Sequence, residues 1–395
     1  MNQPRHSRES GNPEELDARV RGHDDFDIVV VGGGLVGASL AIALAGSGKR
    51  IALIEAAAPP KSQPGWDERE IALNVVSRRI YAGLGLWERL APEAALILAT
   101  HISERGRFGV ARFTAEEAGE EALGWNVPVR ALGAALWQKL GELPNVTLIC
   151  PAKVEGIRHP DAERHPREGT RHPREGGGPV VLKLDSRFRG NDKNDRGNDE
   201  VQAQLVVACD GAQSAIRQTL NIGAQETDYR QVAIVSAVRP ERPHRGVAYE
   251  RFLPGGPIAI IPKPDNRCGL IWTVPADEAP KMLAWSDAEF LAALQESFGM
   301  RLGRLLEVGK RNGHALTRVL SDALTAPRVI FAGNAAQTLH PIAAQGFNLG
   351  LRDVATVAEL AGGAEDPGAS ELLAEYETRR RSERDSVSGF TDGLV

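Results

Sequence analysis

The sequence predicts an α/β fold: a doubly wound parallel sheet with a separate α+β domain set into it. Three observations predict this. Near its start the chain runs through an apolar strand, a glycine-rich turn, an apolar helix and a second apolar strand, the βαβ unit from which parallel sheets grow. Two later apolar runs, 205–208 and 329–332, each lead into a glycine-containing loop and then a helical pattern. Between them, residues 228–317 change character. Extended runs at 231–238, 257–262 and 269–274 mix there with one helical pattern at 286–298.

In chain order, 26–31 reads as a buried strand, 35–47 as a helix and 51–55 as a second strand. Gly32, Gly34 and Gly37 lie between the first strand and the helix as G-x-G-x-x-G. In such a turn Gly32 permits the tight bend, Gly34 lets backbone approach a pyrophosphate, and Gly37 lets the helix pack on the strand. The helix N-terminus adds free N–H groups and a positive dipole. Glu55 closes the second strand about twenty residues on, where an acid binds ribose hydroxyls. With strand, loop, helix, strand and acid all in place, the signal is dinucleotide binding. A short strand follows at 146–149. The 205–208 strand enters Asp210-Gly211-Ala-Gln-Ser214-Ala-Ile-Arg217, where Asp210 also reads as a helix N-cap. The 329–332 strand enters Gly333-Asn334, then His340-Pro341, then Gln345-Gly346-Phe347-Asn348 and Arg352-Asp353. That last pair also reads as a plain helix salt bridge.

Composition narrows the function classes. The chain has 395 residues, enough for two domains, and a net charge of -5 that offers nucleic acid no electrostatic footing. No apolar run reaches the roughly 18 residues of a membrane helix, and the polar N-terminus lacks the apolar core of a secretory signal. Cys150, Cys209 and Cys268 have no metal-ligand spacing and suit a reducing cytoplasm; no metal site is expected. Residues 6–25 and 159–200 share a degenerate repeat, H-x-R-E-x-G-x-P and L-D-x-R-x-R-G-x-D. Charged and glycine-rich, these stretches read as a disordered tail and an inserted surface arm, in which only 180–184 alternates like a strand.

The glycine fingerprint and the two later loops carry a family resemblance. So do Asp67-Glu-Arg69-Glu-Ile-Ala72-Leu73, Gly83-Leu-Gly85-Leu-Trp87, Tyr249-Glu-Arg251-Phe252 and Gly256-Pro257-Ile-Ala-Ile-Ile-Pro262. From about residue 25 onward, the 159–200 arm excepted, the sequence resembles the group A flavoprotein monooxygenases. These are the p-hydroxybenzoate hydroxylase-like class, and within it the sequence resembles the ubiquinone-biosynthesis hydroxylases. Most members have Gly-Asp where this chain has Gly333-Asn334. The wording from Gly333 to Pro341 is similar to the branch called 2-polyprenyl-6-methoxyphenol hydroxylase.

The resemblance implies a Rossmann-like FAD-binding domain in segments 26–99, 127–158, 201–227 and 318–365. A substrate domain takes 100–126 and 228–317, and a C-terminal helix takes 366–395. Family members usually continue for a few dozen residues more, so the chain reads as truncated there. FAD is the implied cofactor, with NADPH or NADH and O2 as co-substrates, and no second nucleotide-binding fold is visible. Gly32, Gly34, Gly37, Glu55, Arg69, Asp210, Gly211, Gly333, Asn334, Gly346, Phe347 and Asn348 are the implied cofactor contacts. The backbone N–H groups of Phe347 and Asn348 would face the reduced, anionic flavin. Ala344 stands where the family usually has glycine, a cost if that position needs positive φ. His340, Pro341 and Gly346 are the candidate catalytic positions, with His340 a candidate base or a structural histidine. Tyr249 and Arg251 are candidate substrate contacts. The implied reaction is hydroxylation of a polyprenyl-methoxyphenol through a flavin C4a-hydroperoxide, with peripheral contact at the inner membrane or membership of a multi-enzyme complex or homo-oligomer. A non-hydroxylating FAD oxidoreductase and a non-catalytic flavin-binding subunit are the alternatives.

Overall fold

The computed structural model describes residues 24–58, 69–159, 178–185 and 200–394. The repeat-bearing tail to residue 23, most of the arm, and Asp67 and Glu68 of the Asp67-to-Leu73 motif lie outside the described residues.

An eight-stranded sheet organises the first half of the molecule. Its path runs Thr325–Ala326, Val329–Phe331, Glu200–Ala208, Asp24–Val31, Ile51–Ile54, Val146–Ile149. The last five of these pair in parallel. Ile28, Val29 and Val30 have no exposed surface, as expected of a strand covered on both faces. The helix Leu35–Leu44 is apolar all round because it is buried all round. It lies between the sheet and the helices Val129–Gly141 and Gln345–Gly362.

One expectation for the arm is corrected here. Val180–Leu184 is a strand of this sheet, antiparallel to both Val154–Arg158 and Glu200–Ala208. Val180, Val181, Leu182 and Leu184 are all buried. Their burial offsets the entropy of ordering this segment.

A nine-stranded sheet forms the second half. Its path runs Gln337–Thr338, Asn312–Ser321, Ala224–Pro240, Cys268–Pro275, Ile258–Pro262, Val247–Phe252, Ala99–Glu104, Val110–Thr114. Strand alternation gives it two distinct faces. Ile258, Ile260, Leu270, Trp272 and Val274 pack on one face against Phe290, Leu294 and Phe298 of the helix Asp287–Phe298. Ser286 and Glu289 close that helix with a reciprocal capping box. The other face turns toward a small third sheet, Glu70–Asn74, Gly124–Pro128 and Ala95–Ile97. A buried ion pair ties the two sheets, with Lys263 Nζ 2.8 Å from Glu70 Oε1 and each side chain 7% exposed. Asn126 donates to the other Glu70 oxygen and to the Pro262 carbonyl.

Candidate active site

The glycine turn separates its three jobs cleanly. Gly32 has φ +101°, and a Cβ there would lie 2.5 Å from the Cys209 carbonyl oxygen. A Cβ on Gly37 would lie 1.9 Å from the Gly32 carbonyl oxygen, so only glycine lets the helix start this close to the strand. A Cβ on Gly34 would meet nothing within 4 Å. That open flank is where a ligand's phosphates can reach the backbone. Gly34 is the helix N-cap and brings no side-chain acceptor, so the first-turn N–H groups remain available to an anion. The Glu55 carboxylate accepts from the Gly33 N–H and the Ala57 N–H, which fixes it beside the turn.

The two later loops are joined to this turn and to each other. Asp210 accepts from the Ile216 N–H at 3.3 Å, while Ser214, not Asp210, is the N-cap of Ala215–Thr219. The other Asp210 oxygen is buried without a partner among the described residues. Gly211 sits at φ +91°. Arg217, 4% exposed, donates to the Ala335 and Ala212 carbonyls and so locks the Asp210 loop to the Gly333 loop. Gly333 has φ +59°, and a Cβ on it or on Gly350 would lie 3.0 Å from Val36 of the first helix. Asn334 is exposed. The reading of Arg352-Asp353 as a plain helix pair is corrected. Arg352 pairs with Glu383, and buried Asp353 takes the Gly333 N–H, Gln337 and the Arg380 guanidinium. Arg69 is exposed, with its carbonyl accepting from the Val129 N–H.

Ala344 immediately precedes the helix Gln345–Gly362 and has φ +51°, the left-handed conformation that the family glycine would take without strain. The side chain of Asn348 is a clamp. It donates to the Ala344 and Ala72 carbonyls and accepts from the Asn74 N–H and the Ser77 hydroxyl. Among the described residues, no side chain caps the helix N-terminus. A Cβ on Gly346 would meet nothing within 4 Å.

Ala344 also lines a cavity of about 160 Å³ between the nine-stranded sheet and the third sheet. Ala259, Ile261, Ile271 and Thr273 wall it from the face opposite the Asp287–Phe298 helix, while Ala72, His340 and Pro341 complete it. His340 is 2% exposed. Its Nδ1 accepts from the Ile342 N–H at 3.2 Å, and Nε2 is buried without a partner among the described residues. Neutral His340 therefore carries its proton on Nε2 and offers a donor, not the acceptor that a base requires. Burial holds its pKa below the usual value, against an opposing pull from Asp392. The His340 ring stands edge-on to Tyr229 at 5.0 Å, and the Tyr229 hydroxyl donates to Asp392.

Of the two candidate substrate contacts, Tyr249 lines the cavity and Arg251 does not. On the strand Val247–Phe252, Ala248 and Glu250 share the cavity face. Tyr249 borders the cavity, but its ring packs on the helix side, 5.5 Å from the rings of both Phe298 and His101. Arg251 stands on that same far face and is not part of the cavity wall. Sequence reasoning did not single out Glu250 as a cavity-lining residue. The signal was there in the period-two pattern of the strand, but it needed the knowledge of which face is covered.

These features fit FAD. The cradle has an open flank at Gly34, uncapped helix N-termini and a buried Asp210 acceptor still to be satisfied. The family model described as FAD binding domain matches residues 25–388. The chain belongs to the FAD binding domain family. Over 393 residues it is 36% identical to ubiquinone hydroxylase UbiL of Rhodospirillum rubrum, spanning 98% of this chain and 85% of that one. It is 30% identical to the 3-demethoxyubiquinol 3-hydroxylase of Escherichia coli, spanning 90% of this chain and 86% of that one. Among solved structures it resembles p-nitrophenol 4-monooxygenase PnpA from Pseudomonas putida DLL-E4 at a TM-score of 0.70 and 19% identity, covering 94% and 88% of the two chains. That last likeness concerns the fold, which is p-hydroxybenzoate hydroxylase-like. The chain is a FAD-dependent aromatic-ring monooxygenase.

Proposed function

We propose that this chain hydroxylates the ring of a polyprenyl-methoxyphenol in ubiquinone biosynthesis. The observation that carries the proposal is the cavity, an apolar space between the substrate sheet and the uncapped helix N-terminus at Ala344. Bound FAD, reduced by NADPH or NADH, supplies the electrons and the oxygen activation. The protein does the rest. The glycine turn and Glu55 hold the nucleotide end, with Arg69, Asp210 and Gly211 as further contacts. Gly333 and Asn334 would hold the ribityl chain, where Asn334 would accept a hydroxyl hydrogen bond without the usual charge. The N–H groups of Gly346, Phe347 and Asn348 would stabilise negative charge on the ring system, each by roughly 1.5–3 kcal/mol as hydrogen bonds to a charged group. Pro341 and the aliphatic wall exclude water, and His340 Nε2–H donates to a substrate oxygen.

The test is NADPH consumption by the flavin-loaded protein with and without a prenylated methoxyphenol, with product mass read alongside. Substrate-stimulated oxidation with a hydroxylated product is expected; oxidation without product would favour a reductase.

A lipid substrate also requires access to a membrane surface. Among the described residues, no helix is long and apolar enough to cross one. The proposed contact is peripheral, at residues 96–113. Leu96, Leu98, Phe108, Val110 and Phe113 are exposed there, next to Ile97 and Thr100 of the cavity wall. These exposed apolar side chains are the groups such a contact would use. Phe108→Ser should weaken co-sedimentation with phospholipid vesicles and leave flavin content unchanged; equal co-sedimentation would count against the contact.

A further inference from the structure

Among the described residues, Glu250 is the one carboxylate on the wall of the cavity. Register places Ala259 opposite it on one neighbouring strand and Ile102 on the other. Among the described residues it has no hydrogen bond and no ion pair. Burial pushes its carboxyl up to about 7, with no charge acting against that. An unpaired carboxylate in an aliphatic wall is costly to keep, and here it faces the space assigned to the substrate ring.

We infer that Glu250 is the proton acceptor for the phenol hydroxyl of the substrate, an inference that rests on the ring-hydroxylase reading above. The phenol O–H bond breaks, a Glu250 Oε–H bond forms, and the electron pair stays on the ring oxygen. The resulting phenolate is electron-rich at its ortho and para carbons, which is what attack by an electrophilic oxygen needs. The proton returns to the ring oxygen or to water when product leaves, so none is gained or lost by the enzyme. A free carboxylate near 4.3 is a poor match for a phenol near 10, and a carboxyl poised near 7 halves that gap.

The other groups around Glu250 do not compete for this role. His340 faces the cavity with a donor and has its Nδ1 occupied. Tyr249 and His101 stack on the far face of the sheet. The Glu70 and Lys263 charges compensate one another. The remaining wall residues from the two neighbouring hairpin strands are Ala259, Ile261, Ile271 and Thr273.

Two experiments on the full-length, flavin-loaded protein test the inference. The first follows hydroxylation against pH. The wild-type kcat/KM should rise through an inflection near 7, and Glu250→Gln should lose that limb and about 10²–10⁴-fold in kcat, the range for a general base. Glu250→Asp should keep an inflection with an intermediate rate. A Glu250→Gln profile that matches wild type in rate and inflection overturns the assignment. The second needs no variant: 2-methoxyphenol and 1,2-dimethoxybenzene are bound to the wild-type protein across pH. The phenol should bind more tightly as pH rises through 7 and the ether should not; parallel curves for the two overturn it. A wild-type enzyme that yields no hydroxylated product from any prenylated methoxyphenol would sink the function reading instead, while the binding comparison would still report on Glu250.

Discussion

At the Gly32–Gly37 turn the backbone packs against itself, whereas at the cavity side chains from six separate strands and a loop surround a space. In the turn a single added carbon at Gly37 meets a carbonyl oxygen at 1.9 Å, and no other residue solves the problem. In the cavity wall, Ala259, Ile261 and Ile271 share a role that several aliphatic residues could fill. The contrast teaches where specificity is stored. The cofactor cradle depends on residue types at fixed spacing. The substrate side depends on which face of a strand is covered, and a one-residue change of face exchanges Glu250 for Arg251.

The strongest way to break this comparison is within the turn itself. Gly37→Val should abolish flavin binding and destabilise the fold severely, seen as lost absorbance and a collapsed thermal transition. Gly34→Ala should leave the melting of the flavin-free protein unchanged and lower FAD affinity at least tenfold. Equal behaviour of the two variants would mean that the glycines do not divide their roles. Next in size is the support behind the Gly333 loop. Arg380→Ala leaves buried Asp353 uncompensated and should cost about 3–5 kcal/mol by denaturant unfolding, as broken buried pairs do.

The cavity side yields a pH signature. The folded pKa of Glu250 lies above its unfolded value, so its contribution to stability is full below the ordinary carboxylate range and fades as pH rises through about 7. Relative to Glu250→Gln, the flavin-free wild type should lose on the order of 3 kcal/mol between roughly pH 4 and 8. A constant difference across that range would show that the carboxyl is solvated. The smallest effect is at Ala344. Ala344→Gly should relieve its left-handed strain and stabilise the protein by about 0.5–1 kcal/mol in a melting comparison; a loss of stability would show that the alanine methyl group packs usefully.

Much of the fold and the whole glycine cradle were legible in the sequence, because 28–31 and 51–54 are continuously apolar and Gly32, Gly34, Gly37 and Glu55 stand at set intervals. Ala344 was legible only in part: the family resemblance set it against a glycine and made it a cost if the position needs positive φ, and φ is +51°. What stayed hidden depends on partners far away in the chain. Arg217 reaches Ala335, and Arg380 reaches Asp353, without any local pattern to announce them. The Asn348 side chain works as a clamp between the helix and strand Glu70–Asn74, a role that spacing does not encode. Val180–Leu184 was overshadowed by the polar repeat on both sides, although its own alternation was visible.

The most direct test of the central claim is turnover under oxygen-18 gas. The flavin-loaded protein, NADPH and a prenylated methoxyphenol are mixed, and the product is weighed by mass spectrometry. The account predicts a ring-hydroxylated product carrying one oxygen-18 atom from the gas. A product labelled only from water, or NADPH consumption with no oxygenated product at all, would contradict it.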